Sequence, residues 1–380
     1  MTASKLRAAL TAILMGTAAV GAVSVVSTLP AEAATVSAKV GPLLKEAQSL
    51  AQAGNYAAAS AKLKEADAVK STPDDAAIIN QLRQFIAIKS GDTSTAAGAK
   101  AKFANDYNAR NYKAVIADEA ALRKVGALDA NAMQIIAQSY YLSHDASGCM
   151  RYIKSNFKSP GDATLELLMR CAYDAGDDET QRSALETLVA HSGKPEYWKN
   201  LLRLSERAKG LSDHNTLDVN RLRLMTGNIT TKDEYILLAQ LALQLGFAAE
   251  AQTVLQKGFD AKVLSDDRSK KLLDLAKSQA AQAAANEAKA LADAKAQPQG
   301  DALVKVGEAM IGEGKAKDAI GVIQQGQKKP LKDQANAQIR LGQAYLAAGQ
   351  KADAVKAFSA VKSPEKDAMI AHLWSLAARR

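Results

Sequence analysis

Ala335 to Pro364 reads ANAQIRLGQAYLAAGQKADAVKAFSAVKSP. Its small and apolar residues fall at helical intervals on either side of Gly349, a residue that ends helices by turning left-handed. The marked residues are Leu341-Gly342, Tyr345, Gly349, Ala354 and Phe358. Sliding the same frame back along the chain finds it again. A unit from Gly300 places Val306-Gly307, Met310, Gly314, Ala319 and Ile323 in the same slots, and one from Lys232 places Leu238-Ala239, Ala242, Gly246, Ala251 and Leu255. Asp162 opens a unit with Leu168, Ala172 and Gly176, Ala130 one with Ile135, Tyr140, Cys149 and Ile153, and Pro195 one with Trp198 and Leu201 but a poor second half. Near the N-terminus, Gly54-Asn55-Tyr56 with Ala59 and Leu63 recurs as Arg110-Asn111-Tyr112 with Val115. Starts at Ala96, Ala130, Asp162, Pro195, Lys232, Asp266, Gly300 and Ala335 are 34, 32, 33, 37, 34, 34 and 35 residues apart. Each match alone is loose, since alanine-rich amphipathic helices fit such patterns easily; the regular spacing makes the array.

The pattern resembles the tetratricopeptide repeat, a helix-turn-helix unit of about 34 residues, at its signature positions seven, eight, eleven, fifteen, twenty and twenty-four. The resemblance implies an all-α fold, a right-handed superhelical solenoid of about nine such units. In it, Gly342 lets the two helices of a unit approach, Tyr345 and Phe358 fill the wedge between units, and Ala354 sits where the second helix touches the first. Two places depart from the pattern. Pro73 to Lys89 reads as a helix without a partner before the polar stretch Ser90 to Gly98, and the Asp266 frame carries Leu272-Leu273, Ala276 and Ala285 but only Ala280 at the turn. That frame is open to two readings: one helix of roughly 45 Å through Ala296, or an ordinary turn near Ala280. Gln297-Pro298-Gln299-Gly300 closes it in either case. Glu365 to Ala378, with Ile370, Leu373, Trp374 and Ala377, reads as a helix covering the last unit. The expected organisation is a leader over 1–33, an N-terminal unit with an extra helix over 34–91, a central array over 96–262 and a C-terminal array over 263–380.

Composition agrees with helix. Of 380 residues 48% are apolar, 23% charged and 5% aromatic, with 8 prolines, which excludes a collagen, a disordered tail and a polytopic membrane protein. Met1 to Ala33 reads as an export signal: Lys5 and Arg7, an uncharged apolar run from Ala8 to Val26, then Ala31-Glu32-Ala33 as a cleavage site. Cleavage after Ala33 is expected, giving a periplasmic protein if the source is bacterial; an uncleaved anchor is the other reading. No cysteine follows the run to take a lipid, and no second long apolar segment occurs. Losing Lys5, Arg7 and Glu32 takes 49 basic and 40 acidic residues to 47 and 39, an excess of eight. The excess is scattered and is not interleaved with aromatics, so nucleic acid is not an expected partner.

Little points to catalysis. His144, His191, His214 and His372 have no metal-ligand spacing, and there is no Gly-x-Ser-x-Gly elbow, phosphate loop or dinucleotide fingerprint, so neither metal nor cofactor is expected. Acidic clusters such as Asp74-Asp75 and Asp177-Asp178-Glu179 suit helix starts. Cys149 and Cys171 fall on helices that the resemblance makes neighbours; they form a disulfide in an exported chain or are two small buried side chains. The resemblance also implies a concave groove lined by first helices. Its position-nine row is Gln48, Ala104, Gln138, Arg170, Arg203, Gln240, Asp274, Glu308 and Gln343, polar in all but one unit. Amide and guanidinium groups in a row suit the backbone of an extended peptide, although any solvated face is polar. Gln138, Tyr141, Arg170, Trp198, Arg203, Gln240 and Gln343 are the candidate partner-binding residues, with Tyr141 and Trp198 as anchors. The paired Lys and Asn that grip a C-terminal carboxylate in some family members are absent, their slots holding Asp301 with Lys305 and Asn336 with Arg340. The expected function is a non-enzymatic scaffold binding a protein or peptide; the alternative is a basic repeat protein attracted to envelope polymer or anionic membrane.

Overall fold

The computed structural model describes residues 36–207 and 210–380, and the expected export signal lies outside the described residues. Among the described residues every regular element is a helix, and no helix is long and apolar enough to cross a membrane. The chain divides into two compact units, meeting in sequence between Lys158 and Ser159, inside the segment expected as one central array.

In the N-terminal unit, α1 (Val40–Gln52) and α2 (Tyr56–Ala68) form a hairpin on which α3 (Pro73–Ser90) packs. Val40, Leu44, Ala59, Leu63, Ile79 and Leu82 form its core. Thr72 and Asp75 close a reciprocal capping box at the start of α3. The buried Asp75 carboxylate also accepts from the backbone N–H of Ser37 at 2.8 Å and of Ser71 at 3.0 Å. Burial alone would raise its pKa, but these donors stabilise the charged form and hold it well below the usual carboxylate range. The next pair is α4 (Ala96–Asn108) with a second half broken at Asp118 into α5 (Tyr112–Ala117) and α6 (Glu119–Lys124). The last is α7 (Ala130–Leu142) with α8 (Ala146–Asn156). Asn55, Asn111 and Asp145 start second helices by accepting from the amide three residues on, the physical basis of the Asn-Tyr recurrence.

The C-terminal unit contains α9 (Asp162–Ala175), α10 (Asp178–Ser192), α11 (Pro195–Ser205), α12 (Asp213–Met225), α13 (Lys232–Leu245), α14 (Ala248–Asp260), α15 (Asp267–Ala296), α16 (Asp301–Gly312), α17 (Ala316–Gln327), α18 (Gln334–Ala347), α19 (Lys351–Ser359) and α20 (Glu365–Ala378). Consecutive helices pack on one another, as in a helical-repeat solenoid. The expected packing roles hold: a Cβ at Gly342 would stand 2.5 Å from the Phe358 ring, and one at Gly307 2.4 Å from Ile323. Of the two readings of the Asp266 frame, the continuous helix is the one found, a single α15 of 30 residues.

Closure of this unit was not visible in the repeat pattern. α20 covers α18 and α19, as a cap should, but it also packs on α10 and α12, far upstream in sequence. Ile370, Leu373 and Trp374 share one core with Leu185, Leu188, Trp198, Leu201 and Phe358. Polar contacts follow the same path: Asn215 donates to Asp367 at 2.7 Å, Lys366 to the Gly210 carbonyl at 2.9 Å, and Arg380 to the carbonyls of Val189 and Ser192 at 2.5 and 2.9 Å. Those two carbonyls belong to the last turn of α10, where a cation complements the helix dipole.

Candidate functional site

Closure brings five charged side chains together inside the C-terminal unit. Arg340 of α18 grips Asp218 of α12 with two hydrogen bonds of 2.5 and 2.6 Å, while Gln343 Nε2 donates to Asp218 Oδ1 at 2.8 Å. Arg221, one turn along α12, binds Glu250 of α14 through Nε and Nη2 at 2.7 and 2.6 Å and donates to Glu308 of α16 at 2.8 Å. Glu308 also lies 3.1 Å from Arg340. Arg340 and Glu308 are 1% and 2% exposed, and Asp218 is fully buried. Charges this deep persist only when paired and hydrogen-bonded, and here the pairing crosses four helices. Burial alone would raise the pKa of Asp218, but Arg340, with Arg221 and Gln343 behind it, holds it below the usual range. Burial works against the charged form of both arginines, and the carboxylates facing them, Glu250 at Arg221 and Asp218 at Arg340, keep each raised.

Above this floor opens a cavity of about 450 Å³, walled by Leu224, Met225, Val254, Ile311, Leu346 and Trp374. Among the described residues no group of three His, Cys, Asp or Glu side chains is placed to hold a metal.

A second feature lies on the outside of the same unit. The first helices α13 and α15 run beside a groove of about 590 Å³ lined by Ile236, Leu237, Gln240, Leu272 and Leu275 together with Lys232, Asp233, Arg268 and Lys271, of which Lys232 pairs with Asp266 at 2.8 Å. Leu237 and Leu275 are 53% and 48% exposed, unusual for large aliphatic side chains flanking an amide.

The sequence-derived candidates separate accordingly. Gln240 lies in the outer groove; Arg170 and Arg203 are exposed on α9 and α11. Gln138, on α7 of the N-terminal unit, is exposed and accepts from Tyr107 at 3.2 Å, and Tyr141 is half-buried. Trp198 and Gln343 need correcting as candidates. Trp198, 2% exposed, belongs to the core that α20 completes, and Gln343 is spent on Asp218 and Arg340, so neither offers a surface to a macromolecule. Glu308, at the same position nine, is internal for the same reason. Reasoning from single repeats missed Asp218, Arg221 and Glu250. The available signal was Asp218 and Arg221 three residues apart in the poorly matching half of the Pro195 unit, together with Arg340 in place of the clamp lysine. The four histidines have local surroundings: His191 pairs with Asp162 at 3.0 Å, His372 with Glu186 at 3.1 Å, His214 lies edge-on to Phe247, and His144 occupies a turn.

In sequence, no family model and no curated protein matches the chain. In structure it is similar to the TPR domain of P58(IPK), at 13% identity over 90% of this chain and 78% of that one, with a TM-score of 0.26. The Cut9-Hcn1 hetero-tetramer of APC/C follows at 13% identity over 90% and 76%, with a TM-score of 0.23. Naa15/Naa10 bound to HypK-THB is similar at 12% identity over 84% and 57%, with a TM-score of 0.22. Likenesses of this size transfer neither partner nor activity.

Proposed function

We propose that this chain is a non-enzymatic interaction scaffold, exported to a bacterial periplasm, that holds a protein or peptide partner on its exposed first helices. The observation that carries the reading is the groove between α13 and α15, where solvent-exposed Leu237 and Leu275 accompany Gln240, Arg268 and Lys271. An extended peptide with apolar side chains and acidic neighbours meets these groups: aliphatic contact at the leucines, a backbone hydrogen bond at the amide, and charge at Arg268 and Lys271. Arg170 and Arg203 are further exposed basic groups on the first helices α9 and α11.

Affinity capture from envelope extract tests this with wild type, Leu237→Asp with Leu275→Asp, and Arg170→Glu with Arg203→Glu. The leucine variant is expected to lose the partner and the arginine variant to weaken it. Equal recovery by all three contradicts the reading. Recovery that vanishes at moderate salt, matched by binding to anionic vesicles, would favour attraction to a charged envelope surface instead. Export is tested by N-terminal sequencing of the secreted protein, with Ala34 expected first. The bridge proposed between Cys149 and Cys171, both fully buried, is tested by thiol titration of the denatured, unreduced chain; two titratable thiols would exclude it.

A further inference from the structure

The cavity over the charged cluster is not needed by a scaffold that binds on its outer face, and its chemistry is lopsided. Three carboxylates, Asp218, Glu250 and Glu308, face two guanidinium groups, Arg221 and Arg340, leaving one negative charge in excess. All three nitrogens of Arg221 donate to carboxylates, and those of Arg340 to Asp218, Gln343 and Asn336. On the acceptor side, Glu250 spends both oxygens on Arg221, whereas Glu308 receives both of its arginine contacts through Oε1. Among the described residues, nothing donates to its Oε2. Glu308 is 98% buried and its side chain lines the cavity, so that oxygen is an acceptor of excess charge held at the base of an apolar chamber.

We infer that this cavity is a binding site for a small amphipathic cation, an alkyl- or arylalkyl-ammonium whose head donates to Glu308 and whose apolar body lies against Leu224, Val254, Ile311, Leu346 and Trp374. An ammonium neutralises the unbalanced carboxylate where burial makes an uncompensated charge expensive, and the walls take up the hydrocarbon. An anion of the same shape meets guanidinium groups already engaged and a like charge; the indole N–H of Trp374, a donor without a partner among the described residues, is neutral and offsets less than that repulsion costs. Met225 and Ala347, both exposed, stand at the mouth and give an entry path.

The test is calorimetric titration of the full chain with n-octylammonium, n-octanol and n-octanoate, each below its aggregation threshold. Octylammonium is expected to bind one to one, at least tenfold more tightly than octanol, with octanoate weakest. Glu308→Gln removes the charge and is expected to bring octylammonium down to the affinity of octanol. Because that change also touches the buried cluster, Ala347→Trp supplies an independent arm: it fills the mouth without touching a charged group and is expected to abolish binding. Octanoate binding as tightly as octylammonium, or octylammonium affinity unchanged in Ala347→Trp, overturns the assignment.

Discussion

The repeat that begins at Ala335 and the one that begins at Asp266 share a frame, yet the first doubles back and the second runs straight. In the first, the turn slot is Gly349 at φ 79°, after which the second helix returns and sets the Phe358 ring against Gly342. In the second, the slot is Ala280, the chain stays helical, and the later slots hold Ala285 and Lys289, both exposed. Glycine at the turn does not explain the difference. Arg110 and His144 occupy the same slot in their repeats at φ 59° and 62°, and both chains turn. A left-handed L-residue costs about 1–2 kcal/mol, so something must offset it. In those repeats Val115, and Cys149 with Ile153, are buried in the second helix. At the slot where they offer the buried Val115 and Cys149 the Asp266 repeat offers only Ala285, which is exposed, and its alanine-rich sequence already favours helix. The chain therefore turns where the second helix has something to bury. The exposed middle of α15 is held by its own propensity and by Lys315 reaching Glu287, and its C-terminal end by Lys329 capping the carbonyls of Lys295 and Gln297 at 2.5 and 2.6 Å.

Substitutions can break this contrast at each slot. Phe358→Ala, which empties a core position, is expected to destabilise the C-terminal unit by about 3–5 kcal/mol in denaturant unfolding, whereas Lys289→Ala should stay within about 0.5 kcal/mol. A Phe358 effect no larger than that of Lys289 would remove burial as the deciding term. Gly342→Ala pushes a methyl into the Phe358 ring and should cost about 1–3 kcal/mol by the same measurement. At the turn, Gly349→Ala should lose about 1–2 kcal/mol and His144→Gly should raise the melting temperature of the N-terminal unit, since glycine relieves the positive φ. Ala280→Gly is the smallest, about 1 kcal/mol at most, visible as a loss of helical circular dichroism without change in the cooperative transition of the core.

Acid gives a check of a different kind on the closed unit. The folded pKa of Asp218 lies below its unfolded value, so its contribution is fully present above the ordinary carboxylate range and is lost as pH falls through that range toward the folded value. Asp218→Asn should flatten that part of the stability profile; an unchanged acid limb would remove Asp218 from the account.

Much of the fold was legible because a repeat writes the same packing many times. Gly342 under Phe358 and the left-handed slots were readable from local spacing, whereas the Asn-Tyr recurrence was visible without its capping role. The site was less so. Whether Glu308 and Gln343 face solvent or each other depends on how strongly successive hairpins curl, a quantity set by small angles summed over several units. No single repeat records that sum. For the same reason α20 was readable as a cap on its neighbours but not as a partner of α10 and α12. The continuity of α15 is not legible in sequence because an absent turn signal looks the same as a turn made by an ordinary residue, as Arg110 and His144 demonstrate.

The most direct test of the central claim is the distance between spin labels at exposed positions 270 and 292, on either side of Ala280, by double electron–electron resonance. A continuous α15 places the two backbone positions about 33 Å apart, from 1.5 Å per residue. A hairpin with its turn at Ala280 would bring them to about 10 Å, the spacing of packed helices, and would contradict the account.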